Sequence, residues 1–210
     1  MRVPKRPKLY HITHGANLRS IIEAGGLLAD AGDAPGRPTK VGMSEVVARR
    51  KQLPVPTHPS TCVGDYVPFY FCPRSVMLYV IYRRNHPSLT YAPGQEPIVH
   101  LEADLHSVAT WAMSEQVPWA FTLGNATESR AEFRSRLSEL GEVNWTAIEA
   151  DQWSGELKGP KQAEFLVHRH LPWSLVERIG VMSVRVERRV AEIVGDSRRL
   201  RVEVRREWYY

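Results

Sequence analysis

Three short stretches of this 210-residue chain hold side chains able to do chemistry. His11-Ile12-Thr13-His14 stands at the end of a predicted strand, where polar side chains can face a cleft; a pair of satisfied surface histidines is the plainer alternative. Arg49-Arg50-Lys51 offers a concentrated positive charge, or simply a solvated basic helix face. Glu164 is the sharpest oddity. In Ala163-Glu164-Phe165-Leu166-Val167-His168 the alternation puts Ala163, Phe165 and Val167 on one face and Glu164 on the other. A carboxylate in so apolar a strand either meets solvent or lines a site. Other chemistries find no support: the chain has no phosphate-binding glycine loop, no paired-histidine zinc helix and no glycine-flanked serine. His11, His14 and a cysteine have the wrong spacing for zinc, so no metal is expected.

The elements that must position these groups are short. Tyr10–Thr13 reads as a strand, and Leu18, Ile21 and Ile22 recur at helical spacing before Gly25-Gly26 stops the helix. A proline- and glycine-rich excursion follows from about residue 29 to 65, with a helix expected over Val41–Lys51. Loops of that length in a compact domain are usually binding loops or lids. Tyr66–Cys72, Ile98–Glu102, Trp119–Thr122, Ala163–His168, Ile179–Val186 and Leu200–Val204 read as strands. Ser75 and Asp104 are positioned as N-caps of helices. Ser129-Arg130-Ala131-Glu132 matches a capping box, with Phe133, Leu137 and Leu140 following at helical spacing. Short strands interleaved with short helices predict one α+β domain.

Composition narrows the setting. The net charge of +5 favours a nucleic acid or another polyanion as partner, although a solvated surface of mixed sign also accounts for it. No stretch approaches the roughly 18–20 apolar residues that cross a bilayer, so no membrane association is expected. The basic N-terminus has no apolar run behind it, which predicts a cytoplasmic protein with Cys62 and Cys72 as free thiols.

Several blocks of residues carry a family likeness. They are Tyr10-His11-Ile12-Thr13-His14 with the Asn17-Leu18 helix, the stretch from Asp65 to Ser75, Met77-Leu78-Tyr79, Gln95-Glu96-Pro97-Ile98, and Lys161 to Val167. In that order, over nearly the whole chain to Tyr210, they resemble the DarT toxins, DNA ADP-ribosyltransferases of toxin–antitoxin systems. The resemblance implies an ADP-ribosyltransferase fold: one α+β domain over 1–210 with a split, mostly antiparallel sheet, flanking helices and an NAD-binding cleft. It implies transfer of ADP-ribose from NAD⁺ to a thymidine base in single-stranded DNA, NAD⁺ being a substrate and no metal being needed.

By the same resemblance, Glu164 and Arg50 are the catalytic residues. His11, Ile12, Thr13, Ser20, Leu28 and Arg50 would hold NAD⁺, and the excursion from about 37 to 55 would fold over it. The acceptor-selecting stretch would run from Asn125 to Glu164, with Arg74, Met77, Arg130 and Trp153 as DNA contacts. The implied partner is a macrodomain antitoxin, DarG, and the chain is expected to be a monomer. An RNA or protein acceptor, or a catalytically silent nucleic-acid-binding domain, are the competing readings.

Overall fold

The structure, a computed structural model, describes residues 3–30, 39–195 and 200–210. In chain order the strands and helices are β1 (Lys8–His14), α1 (Leu18–Glu23), β2 (Gly26–Leu28), α2 (Ser44–Arg50), β3 (Tyr66–Tyr70), α3 (Val76–Arg83), β4 (Ile98–Asp104) and α4 (Leu105–Ser114). They continue as β5 (Trp119–Thr122), β6 (Phe133–Arg134), α5 (Trp145–Glu149), β7 (Glu164–His168), β8 (His170–Pro172), β9 (Val176–Val181), α6 (Val184–Val194) and β10 (Arg201–Val204). Eight strands form one sheet in the order β10-β9-β4-β1-β3-β7-β5-β6, and β2 pairs with β8 in a small second sheet. Every pairing is antiparallel except β9 with β10, which α6 joins as a crossover.

One joint in the sheet differs from the rest. β1 runs alongside β4 through seven consecutive partners, from Lys8↔Asp104 to His14↔Ile98. Against β3, β1 makes a single pair, Tyr10↔Tyr70. The sheet is therefore split between β1 and β3, and a cavity opens on either side of that one bridge. The first is lined from β1 by His11, Ile12 and Thr13 and from β3 by Pro68 and Tyr70. The second is lined by Lys8 and Tyr10 on one side and by Phe71 to Arg74 on the other.

β7 lies between β3 and β5 and is covered on both faces. Ala163, Phe165 and Val167 join the main apolar cluster with Val67, Phe69 and Phe121. Leu166, on the opposite face, packs with Val55, Val63, Tyr66 and Ala120. Glu164 shares that second face by strand alternation, and this is why the carboxylate is buried rather than wet. Burying a side chain such as Phe165 contributes about 1.5–3 kcal/mol, so the strand that carries Glu164 is firmly seated.

The expected caps are present: Ser75 Oγ accepts from Leu78 N at 3.2 Å and Asp104 Oδ1 from Ser107 N at 3.0 Å. Two sequence expectations fail. The helix expected after Ser129–Glu132 is instead the short strand β6, paired with the end of β5, followed by a 3₁₀ turn over Leu137–Glu142. Pairing with the sheet edge satisfies backbone groups that a short, weakly amphipathic helix would have left in water. The strand expected to reach Val186 stops at Val181, where Ser183 caps α6 by accepting from Val186 N at 3.4 Å. Val186, Val190 and Ile193 then follow a helical period toward the main cluster.

The excursion is better tethered than its composition suggests. It contains α2, a bridge between Pro54 and Cys62, and the fully buried Val55 and Val63. Arg37 and Pro38, at the start of the expected cover over the cleft, lie outside the described residues. No helix among the described residues is long and apolar enough to cross a membrane.

Candidate active site

Glu164 opens β7, opposite Tyr70, and is 5% exposed. Its backbone N–H donates to Thr122 Oγ1 at 3.0 Å, and that hydroxyl donates in turn to Gly124 O at 2.7 Å. The start of β7 is thus locked to the end of β5. Arg50, the last residue of α2, points its Nη1 at both carboxylate oxygens, 3.1 Å from Oε1 and 2.8 Å from Oε2. The approach is close at Gly64: a Cβ there would stand 3.0 Å from Lys51 N and Cα, so a larger residue would push the end of α2 away from the entry to β3.

Burial by itself would lower the pKa of Arg50, but the charge and hydrogen bond of Glu164, with Tyr70 and Asp30, outweigh it and raise the value. The guanidinium therefore stays charged. Tyr70 is pushed well above the usual phenol range by burial and by the charge of Glu164, with Arg50 offsetting only part of it, so its hydroxyl keeps its proton. Nη2 of Arg50 is buried and has no hydrogen-bond partner among the described residues. A buried guanidinium with an unused donor beside a carboxylate is a costly arrangement for stability alone, and it is the kind of feature found where a substrate completes the bonding.

The first cavity, about 390 Å³, adjoins this pair through Tyr70 and Lys51. His11 Nδ1 donates to Pro68 O at 2.8 Å, a carbonyl that can only accept, so the ring proton sits on Nδ1. That bond spans the split between β1 and β3. Thr13 Oγ1 accepts from Asn17 Nδ2 at 3.1 Å, and Asn17 also donates to Thr39 O at 2.8 Å and accepts from Thr39 N at 3.1 Å. One buried asparagine thus staples the returning excursion to the cleft wall, and Thr39, Lys40 and Val41 line the cavity beside it.

Of the residues expected around NAD⁺, His11, Ile12 and Thr13 line this cavity. Ser20 and Leu28 stand one position from the lining residues Ile21 and Leu27; the Ser20 hydroxyl donates to Asn17 O at 2.9 Å, and Leu28 pairs with His170 across the small sheet. Met77 lines the same cavity, and Arg74 lines the second, about 330 Å³, while pairing with Asp151 at 2.9 Å. Arg130 is exposed and lines neither of these two cavities. Trp153 donates its indole N–H to Tyr210 Oη at 3.2 Å and packs edge-on against Tyr79, so it is held in a cluster rather than presented as a bare ring. Trp145 is core: it is 4% exposed and donates to Leu140 O.

Sequence reasoning missed Asn17, Tyr70 and Lys161. Lys161 is 2% exposed, and its Nζ donates to Ile148 O at 2.6 Å and Ala150 O at 2.7 Å, tying the root of β7 to the end of α5. A lysine three residues before a candidate catalytic glutamate was the available signal, but spacing alone could not say that its ammonium caps a helix. Among the described residues no group of three or more His, Cys, Asp and Glu is placed to hold a metal ion.

A family model described as ssDNA thymidine ADP-ribosyltransferase, DarT, matches residues 10–210. A DNA ADP-ribosyl transferase from Thermus sp. (strain 2.9) is 41% identical over 212 residues, covering 99% of this chain and 98% of that protein. Another, from Mycobacterium tuberculosis, is 31% identical over 200 residues, covering 90% and 84%. Among solved structures, Thermus sp. 2.9 DarT in complex with ADP-ribosylated ssDNA is similar with a TM-score of 0.91 at 39% identity, covering 100% of this chain and 99% of that one. The same protein in complex with NAD⁺ gives 0.86 at 39% identity, covering 100% of both.

Proposed function

The chain belongs to the DarT family of ADP-ribosyltransferases, and from that premise we propose how its residues divide the reaction. The enzyme transfers ADP-ribose from NAD⁺ to thymidine in single-stranded DNA and releases nicotinamide. The observation that carries the assignment of roles is the buried Arg50–Glu164 pair beside the split in the sheet.

In our reading NAD⁺ lies in the cleft against His11, Ile12 and Thr13, with Ser20 and Leu28 on the supporting helix and strand. The bond between the ribose C1′ and the nicotinamide nitrogen breaks, its electron pair leaving with nicotinamide. Positive character builds on the ribose, as in other glycosidic cleavages. The carboxylate of Glu164 stabilises that charge where it develops, from a strand held on both faces. A thymine ring nitrogen then bonds to C1′ and gives up its proton. Arg50, held protonated by its surroundings, is unsuited to be the base. Its Nη2 is the donor available to steady the thymine anion, and the Glu164 carboxylate takes the proton. Met77 at the cleft, Arg74 beside the second cavity and the exposed Arg130 are assigned to the DNA path, with Trp153 supporting it through Tyr210.

We further infer that residues 1–210 work as one domain and that a single copy suffices, because both members of the pair come from one chain. A DNA substrate favours action in the cytoplasm, with the macrodomain antitoxin DarG removing the modification.

Incubating the purified protein with NAD⁺ and matched DNA and RNA oligonucleotides, scored by intact mass, tests the reading. One added ADP-ribose on thymidine-containing DNA, and none on thymidine-free DNA, is expected. Transfer to RNA or protein in place of DNA would overturn it.

A further inference from the structure

We propose that Tyr82 and Tyr210, beside Arg74, form a stacking platform for a nucleobase that flanks the target thymidine. The inference rests on the reading that the DNA passes Met77 and Arg74. It begins at α3, which presents Met77 to the cleft and carries Tyr82 about 7.5 Å further along its axis and about 140° round it, toward Tyr210. That displacement suits a neighbouring nucleotide rather than the target base.

Tyr82 is 48% exposed, a large ring left in water at the end of a helix that buries Val76, Leu78 and Ile81. It is nearly parallel to Tyr210, at 21° with centroids 6.0 Å apart, the orientation that successive stacked rings keep. Tyr210 is fixed at both ends. Its hydroxyl donates to Arg74 O at 2.9 Å and accepts from Trp153 Nε1 at 3.2 Å, while its backbone N–H donates to Gln95 Oε1 at 3.1 Å. Tyr79 packs against Tyr210 and Trp153 at 69° and 77°, bracing the group edge-on. The rings therefore need little further ordering to receive a base, which spares binding its usual entropic cost.

Charge complementarity names the occupant. The Arg74 guanidinium lies 4.4 Å over the Tyr210 ring, and Arg83 and Arg84 follow Tyr82 on the exposed surface. Aromatic faces interleaved with cations are what a single strand requires: rings for bases, which all have a π-face, and cations for phosphates. Trp153 serves here as a buttress, its indole N–H already committed to Tyr210. Tyr82 is the exposed member of this cluster, packed on Tyr79 and Tyr210, and so the ring open to an incoming base.

The test compares wild type, Tyr82→Ala and Tyr82→Phe on oligonucleotides containing one thymidine, with a single abasic site walked through the flanking positions. Tyr82→Ala is expected to raise the KM for DNA about tenfold, with kcat and the KM for NAD⁺ unchanged, and Tyr82→Phe to behave as wild type. At one flanking position the abasic site should cost wild type the same factor and cost Tyr82→Ala nothing more. An unchanged DNA KM in Tyr82→Ala, or abasic and Tyr82→Ala losses that multiply at every position, overturns the platform while leaving thymidine transfer intact. Failure of wild type to modify any oligonucleotide defeats the acceptor reading itself, and the platform with it.

Discussion

Arg50–Glu164 in the cleft and Arg136–Glu139 on the acceptor stretch are both arginine–carboxylate pairs at hydrogen-bonding distance, 2.8 and 2.6 Å. Their surroundings are opposite. The side chains of the first pair are 10% and 6% exposed; Arg136 is 76% exposed and joins a carboxylate three residues away on the same turn. Arg50 and Glu164 are brought together from 114 positions apart by a helix end and a central strand. Local pairing in water forms and breaks readily and holds little energy, because solvent screens the charges and both long side chains lose freedom. Distant pairing in a dry site repays its desolvation only with good geometry, and losing one partner strands the other. Arg134, on the same stretch, follows the local pattern too, bonded to Glu132 and Glu142 nearby in sequence. The buried pair is fixed by the whole fold, whereas Arg136 is held only by a neighbour on its own turn.

The most severe way to break this contrast is Glu164→Gln. Transfer measured by intact oligonucleotide mass is expected to fall about 10²-fold or more. Leaving Arg50 buried without a counter-charge should also cost about 3–5 kcal/mol of stability, visible as a lower denaturation midpoint. Activity within tenfold of wild type would remove Glu164 from the chemistry. Arg50→Lys is expected next: it keeps the charge but lacks the planar fork, and transfer should fall roughly tenfold. Wild-type rates in Arg50→Lys would mean that charge alone suffices.

A smaller effect separates packing behind the sheet from both pairs. His100 is fully buried on β4, its Nε2 donating to Pro73 O at 3.0 Å, and burial lowers its pKa from 6.5 to about 4, outweighing the opposing effect of that bond. The unfolded chain takes up this proton first as pH falls. The associated stability is therefore fully present above about pH 6.5 and is lost progressively as pH drops toward 4. Denaturation midpoints of wild type across that interval should decline, and those of His100→Asn should decline less steeply; equal slopes would exonerate His100. The smallest effect belongs to Arg136→Ala, which should leave the melting temperature and NAD⁺ hydrolysis unchanged. A loss matching that of Arg50→Lys would erase the distinction between the two regions.

Legibility in the sequence followed the same divide. Where neighbours in the chain settle a structure, reading succeeded: the caps at Ser75 and Asp104, the Trp119–Thr122 strand, and the alternation that set Glu164 apart from Ala163, Phe165 and Val167. Where distant partners decide, it failed. Phe133 satisfied a helical period but found the edge of β5, and Val184 extended an alternation that Ser183 had already ended. The role of Asn17 as a staple to Thr39 had no local signature, because its partner is 22 residues away.

By itself, then, the sequence determined the order of short strands and helices, the apolar faces that make them pack and the odd position of Glu164 in an apolar strand. These follow from periodicity and from residue types along a continuous stretch of backbone, while the family likeness rested on ordered blocks of residues. Only the tertiary structure decided that Glu164 faces Arg50 rather than water, that the sheet parts on either side of the Tyr10–Tyr70 bridge, and that Trp153 braces Tyr210 instead of standing free. Those outcomes depend on which elements meet across the sheet, and a chain specifies such meetings through the whole core at once rather than through any single stretch.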